Sequence, residues 1–149
     1  MKIKIKYFNN ARELKMNDKG NWCDLYANED VFVPVNEYRL IHLGIAMELP
    51  KGYEAYIVPR SSTFKTWGII QVNHIGIVDN SYCGDNDQWK LAVYCLDPKD
   101  FINNVYGTLI KKGDKIAQFR IMEIQSCLEF EKVNKLNNKD RNGFGSTGR

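Results

Sequence analysis

The stretch Lys2-Ile3-Lys4-Ile5-Lys6-Tyr7-Phe8 alternates charged and apolar side chains at the start of the chain. Successive side chains of a β-strand point to opposite faces, so this alternation predicts a strand with Ile3, Ile5 and Tyr7 on its inner face. The two-residue period recurs along most of the sequence. It predicts further strands at residues 31–34, 38–46, 53–58, 89–96 and 115–124, and a weaker one at 127–132.

Turn-forming residues separate these predicted strands, at Asn28 and at residues 50–52, 97–98 and 111–114. The last of them contains Gly113-Asp114 and is typical of a hairpin turn. No window of about a dozen residues has the apolar period of a helix, so only a short helical turn is expected, near residues 62–67. Many short strands between close turns predict an all-β fold, an antiparallel sandwich or jelly roll.

The composition places the chain among soluble globular proteins. Its 149 residues are 44% hydrophobic and 26% charged, and no apolar run approaches the roughly 18 residues that span a membrane. Cys23, Cys83, Cys95 and Cys127 lie far apart without zinc-ligand spacing, so we expect reduced, mostly buried thiols and a cytoplasmic location. A net charge of +3 is too small to indicate nucleic-acid binding.

The C-terminal part of the chain has a different composition. Apolar residues become sparse after about residue 132, which predicts a β domain at 1–132 and a flexible arm at 133–149. Within the arm, Arg141 can bind a phosphate, Phe144 can stack on a flat ring, and Gly145 and Ser146 can donate to an anion. These residues predict a nucleotide lid, and a disordered tail is the alternative.

Four internal segments carry residues that a β-sandwich does not need. Asp24 is an isolated acid among apolar neighbours, which either caps a loop or holds waters around a cation. Arg60, Ser61 and Ser62 follow a predicted strand and suit phosphate oxygens, although a surface turn explains them equally well. Gln118 is either an exposed strand residue or a polar group of a site.

The fourth of these segments, residues 73–85, holds the candidate base. Asp79 follows the apolar run 75–78, so we expect it at the edge of buried surface, where a carboxylate can accept a proton from water. Tyr82 can pack against a sugar, and the Asn73 amide offers both a donor and an acceptor to a base edge. His74 is better explained as a structural residue.

In this order and spacing the five segments resemble the five motifs of the trimeric, all-β deoxyuridine triphosphatase (dUTPase) family, in the form found in Gram-positive bacteria and their phages. The matching stretches are 24–27, 59–62, 76–85, 113–118 and 141–148. The resemblance covers nearly the whole chain, and its fold would be the dUTPase-like β-clip. One departure is the connection 97–110, which is longer than usual in the family.

The resemblance implies hydrolysis of dUTP to dUMP and pyrophosphate, by attack of water on the α-phosphorus with Mg²⁺ as cofactor. This reaction limits uracil in DNA and supplies dUMP for thymidylate synthesis. Asp79 would be the base, and Asp24 would reach the metal through water only. The phosphate chain would be bound by Arg60, Ser61, Ser62, Gln118 and Arg141, with Gly145 and Ser146 from the arm. Uracil and deoxyribose would contact Asn73, Gly76, Ile77, Val78, Tyr82 and Phe144.

The resemblance also implies a homotrimer with active sites shared between subunits. Two alternatives stay open at this point. A related fold serves dCTP deaminases, although a stacking Phe144 favours a dUTPase. Phage dUTPases also bind repressor proteins, and the longer connection 97–110 is where such a surface is expected. No membrane or nucleic-acid partner is expected.

Overall fold

The structure is a computed structural model that describes residues 1–16 and 18–141. These residues form twelve β-strands and one short helix. In chain order the elements are β1 Lys4–Tyr7, β2 Cys23–Tyr26, β3 Val31–Pro34, β4 Tyr38–His42, β5 Ile45–Glu48, β6 Tyr53–Pro59, α1 Thr63–Trp67, β7 Ile69–Gln71, β8 Gly76–Val78, β9 Lys90–Cys95, β10 Asp100–Ile102, β11 Val105–Ile110 and β12 Lys115–Glu123.

The strands form four small sheets, with the orders β1-β5, β10-β11-β3, β2-β12-β6-β8 and β4-β9-β7. Within the described part of the chain every pairing between these strands is antiparallel. The expected all-β antiparallel fold is therefore confirmed. The part of the predicted flexible arm beyond residue 141 lies outside the described residues.

The longest strand, β12, lies between β2 and β6 and organises the largest sheet. Its residues pair with β6 from Ala117 opposite Pro59 to Glu123 opposite Tyr53. On the β2 side the register shifts between Lys115 and Ala117. Such a bulge turns consecutive side chains to the same side, and Ile116 and Ala117 are both fully buried.

Apolar side chains from all four sheets meet in one core. Leu25, Ile41, Ile57 and Leu91 are almost completely buried. Trp89 is buried in this core, with its ring edge-on to Phe119 at 5.3 Å between centroids. Because burying a large apolar side chain contributes about 1.5–3 kcal/mol, this alternation of inward apolar residues is what fixes the strand faces.

Several sequence predictions agree with the structure. The strands expected at 2–8, 31–34, 53–58, 89–96 and 115–124 correspond to β1, β3, β6, β9 and β12, and the expected helical turn is α1. The turn at 111–114 is not a hairpin, because β11 pairs with β3 and β10, whereas β12 pairs with β2 and β6. It carries the chain from one sheet to another.

Two strand predictions are wrong. The stretch 38–46 is split into β4 and β5, which belong to different sheets, because Gly44 has a φ of +72° and turns the chain between them. The weak strand at 127–132 is absent, and Leu128 and Phe130 are exposed. Alternation alone cannot make a strand there, because the described part of the same subunit places no strand beside it.

The sequence pattern did not predict five of the strands, which are β2, β7, β8, β10 and β11. The last two show what the longer connection 97–110 builds. It forms a hairpin in which Phe101 opposes Tyr106, and β11 extends this hairpin onto β3. The two rings lie 4.6 Å apart and are more than half exposed.

The thiols are only partly as expected. Cys23 and Cys95 are buried, and desolvation by burial raises the pKa of both. Cys83 and Cys127 are exposed, so the expectation of mostly buried thiols is wrong for these two. All four are free, as predicted. Among the described residues no helix has the length and apolar character needed to cross a membrane.

Candidate active site

A pocket of about 270 Å³ opens beside β8, and six of the predicted site residues line it. They are Asn73, Gly76, Ile77, Val78, Asp79 and Tyr82. β8 pairs with the middle of β6, Gly76 opposite Ile57 and Val78 opposite Ala55, and the pocket lies beside this pair of strands. We call it the β8 pocket.

Asp79 follows the last residue of β8 and is exposed, next to the buried Val78. Its Oδ1 accepts hydrogen bonds from the Ser81 hydroxyl and from the Ser81 amide N–H, the latter at 2.9 Å. These bonds, first that of the Ser81 hydroxyl, hold the pKa of the Asp79 carboxyl below its ordinary value of 3.8. The Tyr82 amide N–H also lowers this pKa, and a carboxylate with such a pKa is ionised at neutral pH.

Tyr82 closes one side of the β8 pocket. Its hydroxyl donates to the Gln88 carbonyl at 3.3 Å, which holds the ring against the pocket. The buried Trp89 and Ile57 line the inner part of the cavity. An aromatic wall with a fixed hydroxyl and an apolar floor suits a flat, partly apolar ligand.

Asn73 lies at the mouth of the β8 pocket with an exposed side chain. Its Oδ1 accepts a hydrogen bond at 3.0 Å from the buried Gln71, a residue that the sequence analysis missed. The sequence held a faint sign of this contact, because a long amide side chain at an inward position of an apolar strand needs a polar partner.

A second group of predicted residues surrounds Asp24, and we call Asp24, Arg60 and Lys115 the charged cluster. Arg60 Nε lies 2.9 Å from Asp24 Oδ1, and Lys115 Nζ lies 2.9 Å from Asp24 Oδ2. The Asp24 side chain is only 13% exposed. Two cations around one carboxylate leave an excess positive charge, so the cluster suits an anion. Lys115 was not predicted as a site residue, although it directly follows the Gly113-Asp114 turn.

Strand register brings the cluster together. In the sheet β2-β12-β6, Gln118 lies opposite Asp24 on one side and Val58 on the other. Arg60 directly follows β6, and Gln118 Nε2 donates weakly to the Pro59 carbonyl at 3.4 Å. Asp24, Arg60 and Gln118 therefore meet at one end of this sheet. Their order along the sequence does not show that they are close in space.

Thr63 is a buried support that the sequence analysis missed. Its Oγ1 accepts from the Arg60 amide at 2.9 Å and donates to the Ile116 carbonyl at 3.0 Å. The hydroxyl thereby ties the start of α1 to β12 and fixes the backbone that carries Arg60 and Ser61. Ser61 is exposed and Ser62 half-buried, so both hydroxyls reach the surface beside the cluster.

The two groups do not share a cavity within one subunit. No residue of the charged cluster lines the β8 pocket. Asp24 and Lys115 instead line a separate hollow of about 280 Å³ with Arg12 and Tyr26. Arg141 is exposed, and Phe144, Gly145 and Ser146 lie outside the described residues. The predicted site residues are therefore divided between separate regions of the described subunit.

A divalent cation would find few direct protein ligands. The described residues contain no group of three or more His, Cys, Asp or Glu side chains placed to hold a metal ion. Asp24, the predicted indirect ligand, has one cation on each carboxylate oxygen. Among the described residues, Asp24 could therefore contact such a cation only through water, and a phosphate chain would have to supply the direct ligands.

Comparison with known proteins gives a consistent answer. A model of the dUTPase family matches residues 22–148. The SPbeta prophage-derived deoxyuridine 5'-triphosphate nucleotidohydrolase YosS of Bacillus subtilis is 48% identical over 149 residues, which cover 99% of each protein. The deoxyuridine 5'-triphosphate nucleotidohydrolase of Caldanaerobacter subterraneus is 36% identical over 98% of this chain and 97% of its own.

Solved structures agree in fold. A mutant dUTPase of Staphylococcus bacteriophage 80alpha with dUpNHpp superposes with a TM-score of 0.78 at 21% identity, covering 99% of both chains. A mutant dUTPase of phage phi11 of S. aureus, which coordinates a structural Mg(II) ion, superposes with a TM-score of 0.75 at 21% identity over 93% of this chain and 100% of its own.

Proposed function

This chain belongs to the dUTPase family and is a dUTP diphosphatase, and we propose that it cleaves dUTP by attack of an Asp79-activated water on the α-phosphorus. The observation that carries the mechanism is Asp79 itself. It is an ionised carboxylate at the rim of a pocket of nucleoside size. Positioned proton transfer of this kind contributes about 10²–10⁴-fold to the rate.

The β8 pocket is the proposed site for deoxyuridine. Tyr82 would pack under the deoxyribose and leave no room for a 2′-hydroxyl. The backbone of Gly76, Ile77 and Val78 would surround the uracil, with Asn73 at its polar edge. The pocket volume of about 270 Å³ and its aromatic wall support this assignment.

The charged cluster is the proposed site for the triphosphate. Arg60 offers a planar fork of donors, and Lys115 adds a compact charge nearby. Ser61, Ser62 and Gln118 would add neutral donors, and Arg141 would add charge from the arm. Stabilisation of the phosphate charge and alignment of the water must supply most of the remaining acceleration.

Mg²⁺ is the proposed cofactor. The protein groups around Asp24 fit a cation held through water and by the triphosphate oxygens rather than by a cage of side chains. When bound, the ion would neutralise phosphate charge. The chain's own part is that of Asp24, which orders water while it keeps Arg60 and Lys115 in place.

A homotrimer with shared sites is the proposed assembly. Its first support is the separation of the β8 pocket from the charged cluster within one subunit. Its second is an apolar outer face on the sheet β4-β9-β7, where cross-strand neighbours lie side by side. This face consists of Tyr38, Leu40, Ile70, Val72, Ala92 and Tyr94.

The lid stays a prediction from the sequence. Phe144 would stack on uracil, and Gly145 and Ser146 would contact phosphate when the arm covers the site. Closure of that kind excludes water other than the attacking molecule. The cytoplasmic location likewise stays a prediction, supported by the four free thiols.

The test of the proposed mechanism is pyrophosphate release from dUTP, dCTP, dTTP and UTP by the wild-type protein and by Asp79→Asn. We expect a strong preference for dUTP and a fall in kcat of at least about 10²-fold in the variant, with dUMP affinity retained. Asn keeps the shape of the side chain and can still accept the Ser81 bonds.

Asp97→Asn, which removes an exposed acid paired with Lys99 in the 97–110 hairpin, is the matched control and should be fully active. Wild-type turnover in Asp79→Asn would remove Asp79 from the role of base. Conversion of dCTP to dUTP by the wild-type protein would favour the deaminase alternative. The repressor-binding alternative stays a prediction, and the exposed rings of Phe101 and Tyr106 mark the surface to examine for it.

A further inference from the structure

Gln71, the last residue of β7, has a buried amide beside the β8 pocket. The residue is only 6% exposed. Its Nε2 donates to the Ile57 carbonyl at 3.1 Å and to Asn73 Oδ1 at 3.0 Å. Its Oε1 is buried without a hydrogen-bond partner. An unpaired buried oxygen destabilises a fold, and an apolar side chain of the same length would avoid that cost.

The orientation of this amide follows from its first partner. A backbone carbonyl only accepts, so the Gln71 atom that faces Ile57 must be the nitrogen. That nitrogen carries two hydrogens, and its second one points to Asn73. The Asn73 atom that receives it must be an acceptor, which is Oδ1. The Asn73 nitrogen is therefore left as the free end of the side chain.

The free end of Asn73 has no competing protein partner. Within residues 1–16 and 18–141, Asn73 Nδ2 donates to no protein atom. Gly76 provides the room for this arrangement, because a Cβ at that position would lie 3.3 Å from Gln71 Nε2 and 3.2 Å from Ile57 Cβ. The glycine therefore leaves space for the Gln71 amide between β8 and Ile57.

We propose that Gln71 is a specificity-determining positioning residue, which selects uracil over cytosine by holding Asn73 with its donor end towards the base. The inference rests on the proposed function of the β8 pocket. Uracil offers a carbonyl acceptor at C4, whereas cytosine offers an amino donor there. An asparagine that is free to turn over can serve either base. One held at Oδ1 presents only its N–H groups and meets the cytosine amine donor to donor.

The test is Gln71→Met, which replaces the amide by an apolar chain of similar length. We expect the ratio of kcat/KM for dUTP to that for dCTP to fall at least about tenfold. The variant no longer holds Asn73 against the cytosine amine, and discrimination by a buried hydrogen-bonding group of this kind is worth about tenfold or more. The ratios for dUTP against dTTP and against UTP should stay within twofold or so, since they depend on space rather than on the amide.

Three further measurements separate positioning from loosened packing. Ile69→Met changes a buried residue of the same strand whose apolar side chain cannot hydrogen-bond to Asn73, and it should leave all three ratios unchanged. In an Asn73→Ala background, adding Gln71→Met should not change the dUTP/dCTP ratio further. If Gln71→Met does not fold, Gln71→Leu removes the same donors with a smaller side chain.

An unchanged dUTP/dCTP ratio in a folded Gln71 variant would overturn the proposal, as would an equal fall in all three ratios. A wild-type protein that does not hydrolyse dUTP would contradict the proposed function instead. The inference is then tested by calorimetry, from the ratio of the affinities for dUMP and dCMP in the wild-type protein and in Gln71→Met.

Discussion

At two positions in this protein, a residue two places away in the sequence fixes the orientation of a side chain. Ser81, two residues after Asp79, binds Asp79 Oδ1 through both its hydroxyl and its amide. The turn that follows β8 therefore fixes the orientation of the Asp79 carboxylate. Gln71 acts in the same way on Asn73 from inside the sheet. In both cases a neighbouring residue determines the orientation of a group that the ligand would meet.

Ser81→Ala should raise the pKa of Asp79 towards its ordinary value of 3.8, because the largest cause of the lowered pKa is the Ser81 hydroxyl. A lowered carboxyl pKa stabilises the folded protein above the unfolded pKa, and this contribution is lost as the pH falls through the folded pKa. This contribution is therefore complete above about pH 4–5 and is lost only in the acid range.

The measurement is a carboxyl ¹³C NMR titration of the wild-type protein, of Ser81→Ala and of the control variant Ser126→Ala. Ser126→Ala, at an exposed position beyond β12, is the control and should leave the Asp79 titration unchanged. At neutral pH the carboxylate is ionised in every variant, so any loss of turnover there reports misplacement of Asp79. An Asp79 titration that does not move in Ser81→Ala would remove the hydroxyl as the cause.

At the scale of elements, the junction after α1 controls how the helix meets the sheets. Gly68 ends α1 with a φ of +62°, and its amide donates to the Phe64 carbonyl at 2.7 Å. Its carbonyl accepts from the amides of Leu96 and Asp97, at 2.9 and 3.0 Å. The contact places the helix end directly against the chain that leaves β9, next to the strand β7 that carries Gln71.

Gly68→Ala should destabilise the fold by at least about 2 kcal/mol. The left-handed conformation costs an alanine roughly 1–2 kcal/mol, and overpacking adds about 1–3 kcal/mol. The overpacking is severe here, because a Cβ on Gly68 would lie 1.6 Å from the Asp97 carbonyl oxygen. Chemical denaturation monitored by circular dichroism gives the free energy of unfolding.

Gly52→Ala isolates the two contributions. Gly52 has a φ of +87°, but nothing lies within 4 Å of its Cβ position. This variant should show only the backbone penalty, about 1–2 kcal/mol. Equal losses in the two variants would mean that the Asp97 backbone moves away freely, and that the close approach at Gly68 is not needed for stability.

At the scale of the whole molecule, the proposed active site is divided between two regions of the subunit. The β8 pocket and the charged cluster are held by the same strand, β6, but have separate lining residues. The apolar face of β4-β9-β7 and the exposed apolar side chains of residues 124–136 need cover that the described subunit does not give them. A trimer would supply both the cover and the missing parts of each site.

Deletion of residues 140–149 should leave the folded trimer intact and remove most dUTP hydrolysis. The described core ends at Glu123, and Asp140 and Arg141 are exposed, so the deletion takes away no buried contact of the described residues. The deleted part carries Phe144 and Arg141. Phe144→Ala alone should raise the activation free energy that kcat/KM reports by about 1–3 kcal/mol, the usual range for stacking of a base on an aromatic ring.

Light scattering after gel filtration measures the assembly, and pyrophosphate release measures turnover. Lys135→Ala, at an exposed position before the deleted segment, is the control for a change in the arm and should be fully active. A truncated protein that hydrolyses dUTP at the full-length rate would contradict the lid. A truncated protein that is monomeric would instead place these residues in the subunit interface.

The sequence by itself determined the class of fold, and it predicted the candidate site residues. Alternation at residues 2–8, 31–34 and 115–124 is a local property, because each strand exposes one face to the core whatever its partner is. The motif residues Asp79, Arg60 and Asp24 were likewise readable, since their side-chain chemistry and their order along the chain do not depend on contacts. Gly44 shows the limit, because a single positive φ split a continuous alternating stretch into strands of two sheets.

Only the tertiary structure decided which of these residues act together. Lys115 joins Asp24 and Arg60 because the register of β12 between β2 and β6 places their strand ends side by side. Gln71 reaches Asn73 because the Ile57 carbonyl, on a strand of another sheet, orients its amide. Register and packing between sheets depend on the combined burial of many side chains, so no local pattern contains them.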